Sequence, residues 1–142
     1  MGPGASLPDK LWTDSRDVGP GDGFIALPGE HSDGHRFVGD ALSNGARLVL
    51  GSEGGLAPWL DSVKVSGGSC IIVERVEESL VRMAEEYLEE VAPREKIAIT
   101  GSVGKTTTRE LVRSALEGSL RVHSALRSHN TLVGCSLTIL GM

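Results

Sequence analysis

The segment Ile97-Ala98-Ile99-Thr100-Gly101-Ser102-Val103-Gly104-Lys105-Thr106-Thr107-Thr108 constrains this chain more than any other. A short apolar run reads as a buried strand, and two glycines mark a tight loop. Gly-Lys-Thr then opens a helix carrying Leu111, Val112, Ala115 and Leu116, stopped by Gly118. Strand, glycine loop and helix in that order make the context of a phosphate-binding P-loop. Loop and first-turn N–H groups converge on an anion there, and the helix dipole adds to the attraction. In such a loop Gly101, Ser102, Val103, Gly104, Lys105, Thr106 and Thr107 cradle the phosphates of a nucleotide. Lys105 brings its ammonium to the β- and γ-phosphates as the catalytic cation, and the Thr106 hydroxyl ligates Mg²⁺. The longer pattern GxxxxGK[ST] requires glycine at position 99, where Ile99 stands, so the spacing is the shorter GxxGKT.

The rest of the chain alternates in the manner of an α/β protein. Phe24-Ile25-Ala26-Leu27, Arg47-Leu48-Val49-Leu50 (ended by Gly51) and Cys70-Ile71-Ile72-Val73 are short apolar runs bounded by turn residues and predict strands. Phe37, Val38, Ala41 and Leu42 form a helical stripe that Asn44-Gly45 stops. From Glu77 to Val91, Leu80, Ala84, Tyr87, Leu88 and Val91 repeat at helical spacing under an acidic outer face, and Ala92-Pro93 ends the run. A further strand near Leu120–Val122 and a last helix from about Leu132 complete the alternation. Such an order implies parallel strands with right-handed crossovers. The organisation expected is a small α/β domain over residues 1–75, a connecting helix over 76–94, and from 95 to 142 the start of a P-loop domain with a mostly parallel sheet.

Composition narrows the function classes. With 14 Lys plus Arg against 19 Asp plus Glu the chain carries a formal charge of −5, and 4% of its residues are aromatic. Neither the clustered cations nor the stacking platform of a nucleic-acid binder is present, so no nucleic-acid partner is expected. No apolar run approaches the ~20 residues of a membrane span. The start lacks the basic and apolar stretches of a secretory signal, and Pro3 spoils a formal myristoylation pattern, so a cytoplasmic location is expected. Two cysteines, Cys70 and Cys135, make no disulfide framework and are expected buried and reduced. The four histidines lack the spacing of a transition-metal site.

Two polar runs flank the first strand: Asp14-Ser15-Arg16, and Asp33-Gly34-His35-Arg36-Phe37. Their side chains suit sugar hydroxyls or a diphosphate, although Asp and Gly in loops most often form turns. The run from Thr100 to Thr108 is similar to the shortened ATP loop of the Mur ligase family. Asp-Ser-Arg, Pro20-Gly-Asp-x-Phe-x-Ala-Leu-x-Gly29 and Asp-Gly-His-x-Phe resemble the N-terminal UDP-sugar domain of that family's third and fourth amide-forming members. The run Asn130-Thr131-Leu132-Val133-Gly134-Cys135-Ser136-Leu137-Thr138 is similar to Asn-Asn-Glu-Ile-Gly-Val-Pro-Leu-Thr of the member that adds D-alanyl-D-alanine. Its telling departures from that run are Thr131, Leu132 and Ser136.

The resemblance covers roughly residues 12 to 140. It implies an ATP- and Mg²⁺-dependent amide ligase of peptidoglycan precursors that works through an acyl phosphate. Its substrates would be a UDP-N-acetylmuramoyl-peptide and D-alanyl-D-alanine. Ser15, Arg16, Asp33, Gly34, His35 and Asn130 would then bind the UDP-bearing substrate. The sister ligase that adds the third amino acid shares both N-terminal signatures and stays open as an alternative, as does a non-catalytic nucleotide-binding module. Members of the family run to several hundred residues in three domains. The later central and C-terminal domains are therefore expected to be missing here, and the chain is expected to be inactive alone.

Overall fold

The computed structural model of the chain describes residues 8–29, 32–125 and 131–142. They divide into two compact units, one of residues up to Arg82 and one from Met83 to Leu140.

The first unit is built on four strands: β1 (Leu11–Trp12), β2 (Gly23–Ile25), β3 (Leu48–Ser52) and β4 (Ser69–Val73). All neighbours are parallel and the spatial order follows the chain, β1-β2-β3-β4. Three of them are the strands expected from the apolar runs. β1 and two helices, α2 (Glu53–Leu56) and α3 (Leu60–Val65), were not anticipated. The signal for the helices lies in Leu56, Trp59, Leu60 and Val63, which repeat at helical spacing. The stripe through Val38 forms α1 (Val38–Ser43), entered by a 3-10 turn at Gly34–Phe37.

Register sets the core. Trp12, Phe24, Val49 and Cys70 stand in one row across the sheet. Because side chains alternate along a strand, all four project to the same face. They pack there with Val38 and Ala41 of α1, Leu56 of α2 and Val63 of α3. Complete burial of a side chain such as Phe24 or Leu56 stabilises the unit by roughly 1.5–3 kcal/mol. Ile25 and Leu50, one step along β2 and β3, project to the opposite face and are equally buried.

Both α1 and α3 stop by the same device. Gly45 (φ 101°) and Gly67 (φ 73°) turn left-handed just past the helix, a conformation that costs glycine little. The following N–H then reaches five residues back: Ala46 N–H to the Ala41 carbonyl at 2.9 Å, and Gly68 N–H to that of Val63 at 2.9 Å. The turns are so tight that only four residues separate α1 from β3 and three separate α3 from β4.

Helix α4 (Val76–Val91) contains the unit boundary and ends where Ala92 takes a positive φ of 43° ahead of Pro93. The second unit holds the rest of α4, α5 (Lys105–Glu117) and α6 (Leu132–Leu140). Here two expectations are corrected. Ile97–Ile99 is irregular rather than a buried strand, with Ile97 61% exposed, and Leu120–Val122 is irregular too. A parallel strand exists only by hydrogen bonding to a neighbour, and among the described residues neither run has one. No strand of the P-loop sheet expected for 95–142 is therefore present among the described residues, and no residue of α5 is buried. Cys135, expected in the core, is exposed on α6, and Cys70 is only half-buried. Leu132 at the start of the same helix is likewise exposed. Among the described residues no helix is long and apolar enough to cross a membrane.

Candidate functional site

In a parallel sheet every strand points its carboxyl end to the same edge, where loops gather and ligands of open α/β sheets bind. In this chain both polar runs lie there. Asp14-Ser15-Arg16 follows β1, and Asp33-Gly34-His35 follows β2 and its loop.

The two runs are the same local device. Asp14 caps a 3-10 turn at Ser15–Asp17, its Oδ1 accepting the Arg16 N–H at 3.0 Å. Asp33 caps the turn at Gly34–Phe37, its Oδ1 accepting the His35 N–H at 3.0 Å. In each case the carboxylate also takes the side chain two residues on. Arg16 donates Nε to Asp14 Oδ1 at 2.9 Å and Nη2 to Oδ2 at 2.6 Å, and His35 Nδ1 lies 2.6 Å from Asp33 Oδ1. These bonds hold the Asp33 carboxyl below its usual pKa, the ring hydrogen bond of His35 being the largest cause. The Asp14 bonds likewise raise that of Arg16.

The turns differ in burial. The Arg16 side chain is 86% exposed, so water screens its ion pair and a ligand anion can replace Asp14. His35 is buried, with the Ser52 N–H on its other nitrogen at 3.0 Å. Ser15 is buried too, and its carbonyl accepts the Asn44 amide at 2.9 Å. Gly34 lies against the backbone of Leu27, where a Cβ would stand 2.7 Å from the carbonyl oxygen. Of the residues predicted to bind substrate, Arg16 and Asp33 present polar side-chain atoms outward, whereas Ser15, Gly34 and His35 shape the rim from within. Asn130 lies outside the described residues.

Three participants were missed in the sequence. Asp22 is buried, and its Oδ2 accepts both the Trp12 indole N–H at 2.8 Å and the Gly19 N–H at 3.0 Å, tying β1 to the turn before β2. Asp14 was read only as part of a run, although the spacing Asp-x-Arg and Asp-x-His already marks a capped turn. Ser52 gave no signal, since its contact spans 17 residues. Beside it a groove of ≈ 410 Å³ is lined by Pro28, Ser52 and the start of α4. That lining holds Glu74, Glu77 and Glu78, with Arg75 bound to Glu78 at 2.6 Å, so it does not suit a diphosphate. A larger groove, ≈ 510 Å³ between α1 and α3, lies away from this edge.

The glycine loop belongs to the second unit. Gly104 precedes α5 with φ 78°, and no side chain caps the helix. The first intrahelical bond runs from Thr108 N–H to Gly104 at 2.9 Å, so the amides of Lys105, Thr106 and Thr107 have no acceptor within the helix. Nothing lies within 4 Å of where a Gly104 Cβ would stand. The Lys105 ammonium folds back to donate to the Gly101 carbonyl, and Thr106 is exposed. Amides with no intrahelical acceptor, an open glycine and an ammonium over the loop suit an anion such as a phosphate.

Residues 10–99 match the Mur ligase family, catalytic domain. The chain belongs to the Mur ligase family. The matched stretch takes in the four-stranded sheet and both capped turns, and ends just before Thr100. This Mur ligase chain is 36% identical over 132 residues to UDP-N-acetylmuramoyl-tripeptide–D-alanyl-D-alanine ligase of Bacillus subtilis, covering 92% of this chain and 27% of that protein. It is also 37% identical over 107 residues to UDP-N-acetylmuramoyl-L-alanyl-D-glutamate–2,6-diaminopimelate ligase of Syntrophomonas wolfei, over 73% of this chain and 20% of that one. Among solved structures, a D-alanyl-D-alanyl-adding ligase of Acinetobacter baumannii superposes with a TM-score of 0.75 at 26% identity, covering 99% of this chain and 29% of that one. MurF ligase of Thermotoga maritima in complex with ADP gives 0.60 at 28% identity, over 92% of this chain and 28% of the other. The chain thus spans little more than a quarter of these relatives at most.

Proposed function

We propose that this Mur ligase chain supplies the UDP-substrate rim and the ATP loop of an amide ligase that adds D-alanyl-D-alanine to UDP-N-acetylmuramoyl-tripeptide. One observation carries this reading. The relative from Bacillus subtilis bears that activity in its name and aligns over 92% of the chain. So long an alignment runs through both capped turns and the glycine loop. The organisation that goes with it is a UDP-sugar domain over 1–75, a connecting helix over 76–94 and the start of the ATP-binding domain over 95–142.

In this reading the loop from Gly101 to Thr107 holds the triphosphate through its backbone amides. Lys105 leaves the Gly101 carbonyl to neutralise phosphate charge, which two anions need before they can approach each other. Thr106 would hold Mg²⁺, which supplies further charge neutralisation when bound. At the other site Arg16 exchanges Asp14 for a phosphate oxygen, and the Asp33 carboxylate takes a hydroxyl or N–H donor. Ser15, Gly34 and His35 fix the shape of that rim, and Asn130 is assigned to the same substrate. The acyl phosphate and its capture by the amine are steps of the whole ligase.

A second reading, the ligase that adds diaminopimelate, is favoured by the relative from Syntrophomonas wolfei, which aligns over 73% of the chain. The test is a pair of titrations followed by amide NMR. UDP should move the resonances of residues 14–16 and 33–36, and ADP with Mg²⁺ those of 101–107. To choose between the ligases, this chain replaces the matching stretch of the Bacillus subtilis enzyme. Phosphate release with the tripeptide substrate and D-alanyl-D-alanine supports the first reading. Release only with the dipeptide substrate and diaminopimelate overturns it.

A further inference from the structure

The turn at Asp33 is tied to a distant part of the sheet through the His35 side chain. The His35 ring is 5% exposed and wedged between two loops. Its Nδ1 sits 2.6 Å from Asp33 Oδ1, and its Nε2 accepts the backbone N–H of Ser52 at 3.0 Å. A backbone N–H can only donate, so Nε2 must be the bare nitrogen and Nδ1 the one that carries hydrogen. The slot is cut to the ring. A Cβ on Gly51 would stand 2.7 Å from Nε2, and one on Gly55 would stand 2.2 Å from the ring carbon.

We propose that His35 is a positioning residue for the UDP-bearing substrate, a neutral clasp tying the turn after β2 to the junction of β3 and α2. The proposal rests on the substrate reading above. Both donors of His35, ring and backbone, converge on Oδ1 of Asp33, whose side chain is half-exposed. Gly34 N–H is already committed to the Leu27 carbonyl at 2.8 Å. Asp33 Oδ2 is therefore what this turn offers a ligand, and as a carboxylate it selects a hydroxyl or N–H donor rather than a phosphate. His35 touches no substrate. It acts by denying Asp33 other rotamers and by fixing the turn to β3, so the rim meets its ligand already ordered.

Nitrogen-15 NMR of the histidine rings in the unliganded chain at pH 7 tests the clasp directly. A protonated Nδ1 and a bare Nε2 are expected for His35, together with slow exchange of the Ser52 amide. An Nε2–H tautomer or an imidazolium overturns the clasp. Two variants test the positioning role. His35→Asn keeps a donor for Asp33 but cannot reach Ser52, and His35→Gln keeps an acceptor for Ser52 but no donor for Asp33. Each should weaken UDP binding at least tenfold. Lower melting temperatures with UDP affinity retained mark a purely structural histidine and overturn the positioning role. If the unmodified chain takes up no UDP, it is the substrate reading that fails, while the tautomer and Ser52 exchange still decide the clasp.

Discussion

His35 and Gly55 compete for one space: a Cβ on Gly55 would lie 2.2 to 2.4 Å from three atoms of the imidazole. The neighbouring Gly54 has nothing within 4 Å of its own missing Cβ, although both glycines lie in α2. Two glycines adjacent in one helix are therefore there for different reasons.

Their alanine variants should move stability in opposite directions. In a helix, Gly→Ala is worth up to about 1 kcal/mol in favour of the fold. Gly54→Ala should gain a part of that. At Gly55 overpacking costs about 1–3 kcal/mol and outweighs the gain, and the displaced ring releases Ser52. Urea unfolding of the two variants checks this, and a Gly55→Ala chain as stable as the parent would contradict the packing described.

Lys105→Ala should separate binding from folding. The ammonium makes a single hydrogen bond to a loop carbonyl in an exposed segment, so its loss should change stability by less than ~0.5 kcal/mol. Affinity for ATP–Mg²⁺ should fall at least tenfold, because the rest of the loop acts through backbone groups. Calorimetric titration beside a melting curve reads both. Undiminished ATP affinity would remove the loop from the nucleotide site.

The Asp33 carboxyl is held below its usual pKa, first by the His35 ring and then by the His35 backbone N–H. A group with a depressed folded-state pKa contributes stability that is complete above its unfolded value, about 3.9 for Asp. That contribution is lost as pH falls through the folded-state value. The difference in urea midpoint between the parent and Asp33→Asn should thus be constant from pH 7 to about 5 and shrink as acid titrates the carboxyl. A difference that grows on acidification would reverse the assignment.

Thiol labelling should distinguish the two cysteines. Cys135 is exposed on α6, whereas Cys70 is half-buried in β4 with its thiol pKa pushed up by burial. Since the thiolate is the reacting form, Cys135 should label first, and Cys70 only on the timescale of local opening. Equal rates would argue that β4 is not held in the sheet.

What the sequence determined by itself was whatever depends on neighbours along the chain. Apolar runs of four around Phe24, Val49 and Ile71 became strands, and the glycines at 45 and at 104 ended one helix and preceded another, because these outcomes rest on local sterics and short-range burial. The paired spacings Asp-x-Arg and Asp-x-His were equally local. Only the tertiary structure decided what needs a distant partner. Ile97–Ile99 has the composition of a buried strand, yet it pairs with no described neighbour and stays exposed, since composition cannot satisfy the backbone of a lone strand. His35 looked like a ligand-binding side chain in its motif, but Ser52, seventeen residues away, and the empty Cβ positions of Gly51 and Gly55 make it the buried pin of the rim. Pairing and burial across such separations are properties of the folded chain, and a motif read in one dimension does not contain them.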